Sequence, residues 1–510
     1  MTATVHHRTP GPGGSSPHAR STPRRGLRPS SFRPSTRALR AAVAALVLAA
    51  GVVALAVAGP DAGASAIPTL TVFAAAVWFW VFTAVDDTFV ALGAAVVLTV
   101  LGISDPDALF GSLGHDTMWL LIAAFIIAFA VSASGLATRA AVFVVTGARG
   151  PRSLVHLLTA ALLATAFAVP ATSGRAALAL PVFLALARVL ADRPALVRML
   201  ALLFPTVILL SAVASLIGAG AHLITVQLLT TAGHEGLDFA NWLILGLPLA
   251  LVSSHLAAEL VLLLFTTSEE RGRGLQIGVS EFEAAGAGRV TGPLTVQQSR
   301  TVLLLAAMIV LWSTEALHGA PPALIALIGA LVVTSPRYGG VELGDAVKKI
   351  PWALLLFMAA TVTLGHALGT SGAADLLARV ALGRVPDSGP VAGAVFVVAV
   401  VVVSALSHLV IQSRSARSAV LVPIVLSLAP GVGVSPVAAA LLSTAAAGLC
   451  HTLPSSAKPV TIFAGVVDVP TFDRRDLLRL SAWLTPLMCV VFLAFAWWVW
   501  PVLGLPLFLS

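Results

Sequence analysis

The chain has 510 residues, of which 58% are hydrophobic and only 10% charged. A soluble core has no use for so much apolar surface. The formal charge of +8 lies mostly in an N-terminal arm and short loops, where it is a topology signal and not the footprint of nucleic-acid binding. The two cysteines, Cys450 and Cys489, sit in apolar segments and offer neither a disulfide framework nor a metal-ligand spacing. Residues 1–38, rich in Pro, Ser, Gly and Arg, have too few apolar side chains to bury anything and are expected to form a disordered, basic, cytoplasmic arm. Segment 41–59, AAVAALVLAAGVVALAVAG, approaches the roughly 20 apolar residues that cross a bilayer. It exceeds the apolar stretch of a cleavable signal and predicts a retained anchor.

From there the positive-inside rule sets an orientation. Arg24, Arg25, Arg28, Arg33, Arg37 and Arg40 keep the N-terminus cytoplasmic, while loops 60–66 and 104–116 carry no Lys or Arg and fall outside. Residues 39–116 therefore read as N-terminal scaffold helices, with Asp86-Asp87 an adjacent pair that caps a helix end at the cytoplasmic face. Segment 138–152 is basic and inside. The apolar stretch 153–187 then has a basic flank on both sides, because Arg188, Arg193 and Arg198 follow it. One spanning helix cannot return to the face it left, so a re-entrant hairpin is expected, with its tip at the Pro170 to Gly174 break.

A span at 199–231 leads out, a span at 242–266 leads back, and 267–298 is a cytoplasmic loop with Arg271, Arg273 and Arg289. Linking helices over 299–350 reach a basic stretch at 335–349. The second half starts from the opposite face: a span at 351–370, a hairpin at 390–430 with its tip near Ser413, a broken span at 436–466 and a last span at 480–504. Arg379 and Arg384, in a segment assigned to the outside, oppose the charge rule. The fold class is thus an all-α polytopic membrane protein of two inverted-topology repeats, 117–266 and 351–510. Each repeat has a re-entrant hairpin and a broken transmembrane helix. A cytoplasmic-membrane location, an inside N-terminus and an outside C-terminus follow.

The two hairpin tips repeat one pattern. In ATSGRAALALP (171–181) and SRSARSAVLVP (413–423), aligning Pro181 with Pro423 places Ser173 on Ser415 and Arg175 on Arg417. An arginine at bilayer depth costs about 2.5–3.5 kcal/mol on insertion scales, so such charges usually mark a site. Snorkelling to an interface is the alternative, and a position one turn past a tip makes it harder. The substrate-binding candidates are Thr172, Ser173, Arg175, Ser413, Arg414, Ser415, Arg417, Ser455, Ser456 and Lys458. Gly218, Gly220, His222 and Pro459 belong to two interrupted spans, LIGAGAHLI (216–224) and LPSSAKPVTI (453–462), as break-loop or cation positions. Isolated small residues here also serve helix packing. His255, Glu259, His366 and His408 read as separate core or interface groups.

At these residues the chain resembles the divalent-anion:sodium symporter family of the ion-transporter superfamily, over about residues 85–505. ALFGSLGHDTMWLLIAAFIIAFAVSASGLATR (108–139) is similar to that family's first repeat helix, and LLLFMAATVTLGHALGTSGAADLLA (354–378) to its counterpart. The family's Ser-Asn-Thr tip signature falls on Ala171-Thr172-Ser173 and on Ser413-Arg414-Ser415. Its two break loops fall on Gly218 to His222 and on Ala457 to Val460. The resemblance implies a secondary carrier with an elevator-like movement for a dicarboxylate, citrate or sulfate, and a homodimer. The four family Asn positions are Thr172, Arg414, His222 and Val460 here. A guanidinium or ammonium only donates and cannot face a cation, so little or no sodium dependence is expected. No cofactor, metal or nucleic-acid partner is expected, only a small anion and the bilayer. The rival functions are a proton-coupled or exchange-type organic-acid carrier and, in another class, an intramembrane enzyme. The second lacks a nucleophile elbow, a zinc-ligand pair and a paired Asp motif.

Overall fold

The computed structural model describes residues 36–58, 63–234, 237–275, 277–278, 292–382, 390–467 and 469–509. Arg24, Arg25, Arg28, Arg33, Arg289 and Arg384, with most of the 1–38 arm and much of the 267–298 loop, lie outside the described residues.

The described chain is helical, with one isolated β-bridge, Val434 to Phe508. Eight of its helices are long and apolar enough to cross a membrane. The longer helices are numbered here in chain order. The first three are α1 (Thr36–Ala58), α2 (Ala66–Phe82) and α3 (Asp87–Val100). The first half continues with α4 (Asp116–Ala133), α5 (Leu136–Val145), α6 (Pro151–Ala164), α7 (Thr172–Val189), α8 (Pro194–Leu210), α9 (Gly220–Thr231) and α10 (Phe239–Phe265). Two linking helices follow, α11 (Val296–Ser313) and α12 (Pro322–Thr334). The second half has α13 (Trp352–Thr370), α14 (Ala373–Leu382), α15 (Pro390–Leu406), α16 (Arg414–Leu428), α17 (Pro436–Ala446), α18 (Lys458–Ala464) and α19 (Arg474–Ala494).

The two halves run through the same succession of elements. Each opens on a buried helix that stops at a left-handed glycine, Gly135 (φ 67°) or Gly372 (φ 76°), a conformation open to glycine at no steric cost. A ten-residue helix follows each time, then a helix that tightens to a 3₁₀ turn, a non-helical tip and a returning helix with an internal proline, Pro181 or Pro423. A broken helix and a long helix complete each half.

Side-chain contacts show where each hairpin opens. Arg152, at the start of α6, pairs with Glu259 near the end of α10. Arg193, just beyond α7, pairs with Glu270, and Leu275 N donates to Arg149 O at 3.1 Å. Both ends of the first hairpin therefore gather at the C-terminal end of α10. Helix α19 runs antiparallel to α10, since Arg479 lies over the Phe265 ring while Trp500 Nε1 donates to Leu245 O at 3.2 Å. The ends of the second hairpin meet near the C-terminal tail: Gly393 approaches Val432 O, and Ser435 N donates to Leu507 O at 2.8 Å. The hairpins thus open toward opposite ends of the α10–α19 pair.

The broken helices lie deepest. The span Pro194–Ala214 is 94% buried, and every residue of α17 except Val437 is buried. Non-helical backbone at that depth is tolerated because protein covers it. The breaks fall earlier than the sequence motifs suggest, at 211–219 and 447–457, with helix resuming at Gly220 and at Lys458. Each resumed helix packs against the other half: α9 lies on α16, and α18 lies on α7 and α8.

In a background lacking Cys450 and Cys489, Arg152→Cys and Asp192→Cys are expected to react with an impermeant thiol reagent from one membrane face. Val391→Cys and Pro430→Cys are expected to react from the other. Reaction of the first two from opposite faces would make the first hairpin a spanning segment.

Candidate site at the hairpin tips and helix breaks

Arg175 is wholly buried, with 0% of its surface exposed. Its guanidinium is answered by protein on every side. Nε donates to Thr165 Oγ1 at 2.8 Å and Nη1 to Ile208 O at 3.0 Å, while Nη2 donates to Leu162 O and Ser211 Oγ, both at 2.7 Å. Leu162 and Ile208 sit in the last turns of α6 and α8, where carbonyls lack the usual i+4 donor; Leu162 O also accepts from Thr165 N and Oγ1. One side chain therefore closes two helix C-termini, and its charge is favourable at both negative dipole ends. The sequence reading places this guanidinium against an anion. The structure turns it instead into the joint between the first hairpin and the first break.

Arg417, at the matching position, is also 0% exposed but is not satisfied in the same way. Nη2 donates to Cys450 Sγ at 2.8 Å, Nε reaches Ser413 O at 3.4 Å, and Nη1 is buried with no partner. Arg414, half-buried at the second tip, extends across both breaks. Nη1 points to Leu209 O at 3.5 Å and Nη2 donates to His222 Nε2 at 3.2 Å. A Cβ on Gly448 would meet the same Nη2 at 2.9 Å, so the guanidinium also lies against the second break. Its Nε has no partner.

The first break presents His222 to it. His222 Nδ1 donates to Ser215 O at 3.1 Å, which leaves the Nε2 lone pair to accept from Arg414. The imidazole also stacks on Trp242, with centroids 4.8 Å apart, and Trp242 Nε1 donates to Val213 O. Gly218 permits the tight path of this loop, since a Cβ there would fall 2.1 Å from Ala212 O. Gly220 opens α9 within contact range of Ser415 Oγ and Leu354. Ala219 and Ala457 cap the two resumed helices with nearly the same extended backbone, φ −157° and φ −155°.

The remaining candidates divide. Ser413 caps α16, its Oγ accepting from Ala416 N at 3.3 Å. Lys458 and Ser455 are exposed, whereas Pro459 is buried and Ser456 is spent on its own loop, accepting from Leu453 N at 2.9 Å. Thr172 and Ser173 are half-buried at the start of α7, the helix whose Phe183 packs with Phe204 and Phe463. None of the ion pairs among the described residues includes Arg175, Arg414, Arg417 or Lys458.

Several residues read as isolated are not. His156 links His255 (Nδ1 to Nδ1, 2.8 Å) to Glu259 (2.7 Å), and Arg152 completes the chain. His408 donates from Nδ1 to Ala405 O and accepts from Thr452 at Nε2. His366 lines a cavity of about 400 Å³ with His234, Thr231, Thr370 and Ser427. That cavity lies at the C-terminal ends of α9, α13 and α16, away from the tips. Asp86 caps α3 as expected, accepting from Thr88 N at 2.9 Å. Asp87 does not serve as a cap; it stands in the first turn of α3 behind Asp86.

A family model described as the sodium:sulfate symporter transmembrane region matches residues 38–505. A Cupriavidus necator H16 protein described as a membrane protein is 25% identical over 465 residues, covering 85% of this chain and 87% of its own. An L-tartrate/succinate antiporter of Escherichia coli O6:K15:H31 is 24% identical over 257 residues, about half of each chain. Among solved structures, the YdaH transporter of Alcanivorax borkumensis superposes with a TM-score of 0.51 at 18% identity, over 86% of this chain and 99% of its own. MtrF of Neisseria gonorrhoeae does so with a TM-score of 0.54 at 16% identity, over 84% and 88%. Both structures share the fold.

Arg175→Gln is expected to destabilise the detergent-solubilised protein by on the order of 3 kcal/mol, because it removes charge-assisted hydrogen bonds to two helix-end carbonyls and two hydroxyls in the core. Arg414→Gln, which breaks fewer bonds, is expected to lower the melting temperature less. Equal melting temperatures would show that the Arg175 contacts are not structural.

Proposed function

The chain belongs to the sodium:sulfate symporter family, and on that premise we propose that it exchanges small organic dianions, dicarboxylates foremost, with little or no dependence on sodium. It is a multi-pass membrane transporter and not an enzyme. The observation that carries the proposal is the row of three guanidiniums, Arg175, Arg414 and Arg417, in which Arg414 repels each of the other two, with no ion pair to any of them. Buried positive charge without a counter-ion calls for an anion.

Arg414 is the principal anion ligand in this proposal. It alone touches both breaks, and its Nε is unspent. Lys458 supplies the second charge. Ser413, Ser415, Thr172, Ser173 and Ser455 supply hydroxyls, and Arg417 contributes its free Nη1. Arg175 and Ser456 brace the site, and Gly218, Gly220, His222 and Pro459 shape the breaks around it. A sodium ion among these fixed charges is opposed by a repulsion that the low dielectric strengthens. The antiporter of tartrate and succinate that matches half the chain fits an exchange cycle.

The two halves are further proposed to be inverted-topology repeats of an elevator-type carrier in the cytoplasmic membrane, with the N-terminus inside, the C-terminus outside and a dimeric assembly. The opposite openings of the hairpins and the repeated succession of elements support the inverted relation.

In proteoliposomes, uptake of labelled succinate, tartrate, citrate or sulfate is expected to require an internal dianion and to survive replacement of sodium by potassium or choline. Arg414→Gln is expected to raise KM by about 10- to 100-fold, with Arg414→Lys recovering part of the loss, since it lacks the planar fork. A steep sodium requirement, or uptake without internal substrate, would overturn the exchange proposal.

A further inference from the structure

Three side chains outside the hairpins and breaks, Arg300, Arg337 and Tyr338, form one stack. The guanidinium carbon of Arg300 lies 5.3 Å from the centre of the Tyr338 ring and that of Arg337 lies 5.6 Å from it, both within cation–π range. Backbone holds the stack in place. Gly339 N donates to Ser335 O at 2.8 Å, Gly340 N to Val333 O at 3.1 Å and Tyr338 N to Ser335 Oγ at 3.2 Å, so the chain turns tightly as it leaves α12. A Cβ on Gly340 would strike Gln297 Nε2, which seats this turn against the first turn of α11. Arg300, also on α11, extends Nη1 toward Arg337 O at 3.4 Å and Tyr338 O at 3.5 Å. Two cations thus share one ring, and none of the ion pairs among the described residues includes either of them. Of the acids that follow in the chain, Asp345 pairs with Lys348, and Glu342 has no ion pair.

The stack stands at the end of two exposed apolar helix faces. Leu303 and Val310, on the Arg300 side of α11, are 71% and 60% exposed. On α12, which packs against α11, Leu324, Ile328 and Leu331 are exposed at helical spacing. Such faces suit hydrocarbon, and a tyrosine between arginines suits the headgroup level above it. We propose that Arg300, Arg337 and Tyr338 form a headgroup site for an anionic phospholipid. Its phosphate bridges the two guanidiniums, each offering a planar fork of N–H groups, and its acyl chains lie along Leu303 and Leu331. Phosphate from water would meet the same charges and leave the apolar faces unused. The site shares no residue with the proposed dianion site and stands or falls separately from it.

The test is a titration of the purified parent protein, in a neutral detergent, with phosphatidylglycerol, phosphatidylcholine or inorganic phosphate. Native mass spectrometry counts bound lipid, and melting temperature is followed alongside. Phosphatidylglycerol is expected to bind about tenfold more tightly than phosphatidylcholine and to raise the melting temperature, with no rise from inorganic phosphate. Arg300→Gln and Arg337→Gln are each expected to lose most of that preference, Arg300→Lys to keep part of it, and Lys349→Gln, outside the stack, to stay within about twofold of the parent. A photoactivatable phosphatidylglycerol is expected to label the parent within 296–303 or 331–340. Equal affinity for the two lipids, labelling confined to other segments, or folded Gln variants that keep the preference overturns the proposal. So does an equal loss in Lys349→Gln, which makes the charge diffuse, and so does equal stabilisation by inorganic phosphate, which makes this a free-anion site. Dissociation of a dimer in Arg300→Gln with the lipid preference intact makes the face a contact between copies and overturns it too. If both Gln variants fail to fold, the parent carries the test: lipid preference with labelling at the stack supports the site, and the lack of either overturns it.

Discussion

A guanidinium placed in an apolar core must have its N–H groups answered, and the first half of this protein is arranged around that demand. Arg175 is met by two hydroxyls and two carbonyls, all within 3.0 Å. The carbonyls belong to the last turns of helices that stop inside the protein, where the usual i+4 donors run out. Charge and helix ends therefore resolve each other. Without the arginine, α6 and α8 could not end where they do, and without those ends the arginine could not be buried. The tip, the break at 211–219 and the resumption of helix at Gly220 all depend on that exchange.

The second half meets the same demand less completely, and the difference points to function. Arg417 and Arg414 each keep an N–H without a partner, and Arg414 borrows its acceptors from the first half. Of the two matched arginine positions, one is fully engaged as a joint and the other keeps an N–H without a partner. A carrier needs both. Something must hold the tips and breaks at fixed distances, and something must stay unsatisfied enough to prefer an occupant. The His222 tautomer belongs to the holding part, because its bond to Ser215 O fixes which nitrogen faces Arg414.

Much of the architecture was legible from residue names. Basic flanks on both sides of 153–187 exposed the turn-back, and the matched prolines, Pro181 and Pro423, exposed the repetition of tips. Charge and hydropathy are properties of side chains, so they can be read along a line. The role of Arg175 could not be read that way, because two of its acceptors are the backbone carbonyls of Leu162 and Ile208, whose side chains advertise nothing polar. The breaks were placed several residues late for a related reason. Helix ends there are set by the close approach of Gly218 to Ala212 and by the arginine bonds, not by the Pro- and Ser-rich letters that follow. His156 and His366 acquire neighbours only through the packing of distant segments, which a single sequence does not display.

The crossed packing of the resumed helices bears on how the chain is made. The first hairpin finds one of its neighbours in α18, through Phe463 against Phe183 and Phe204, and α18 lies near the far end of the polypeptide. The first resumed helix likewise waits for the second half, where Thr225 meets Thr444 at 2.6 Å. During synthesis, then, α7, α8 and α9 reach the membrane without part of their cover, and stay so until residues 414–464 have been translated. A ribosome stalled between the halves would leave the Phe183–Phe204 pair and the Thr225 hydroxyl without their partners, a natural substrate for membrane quality control.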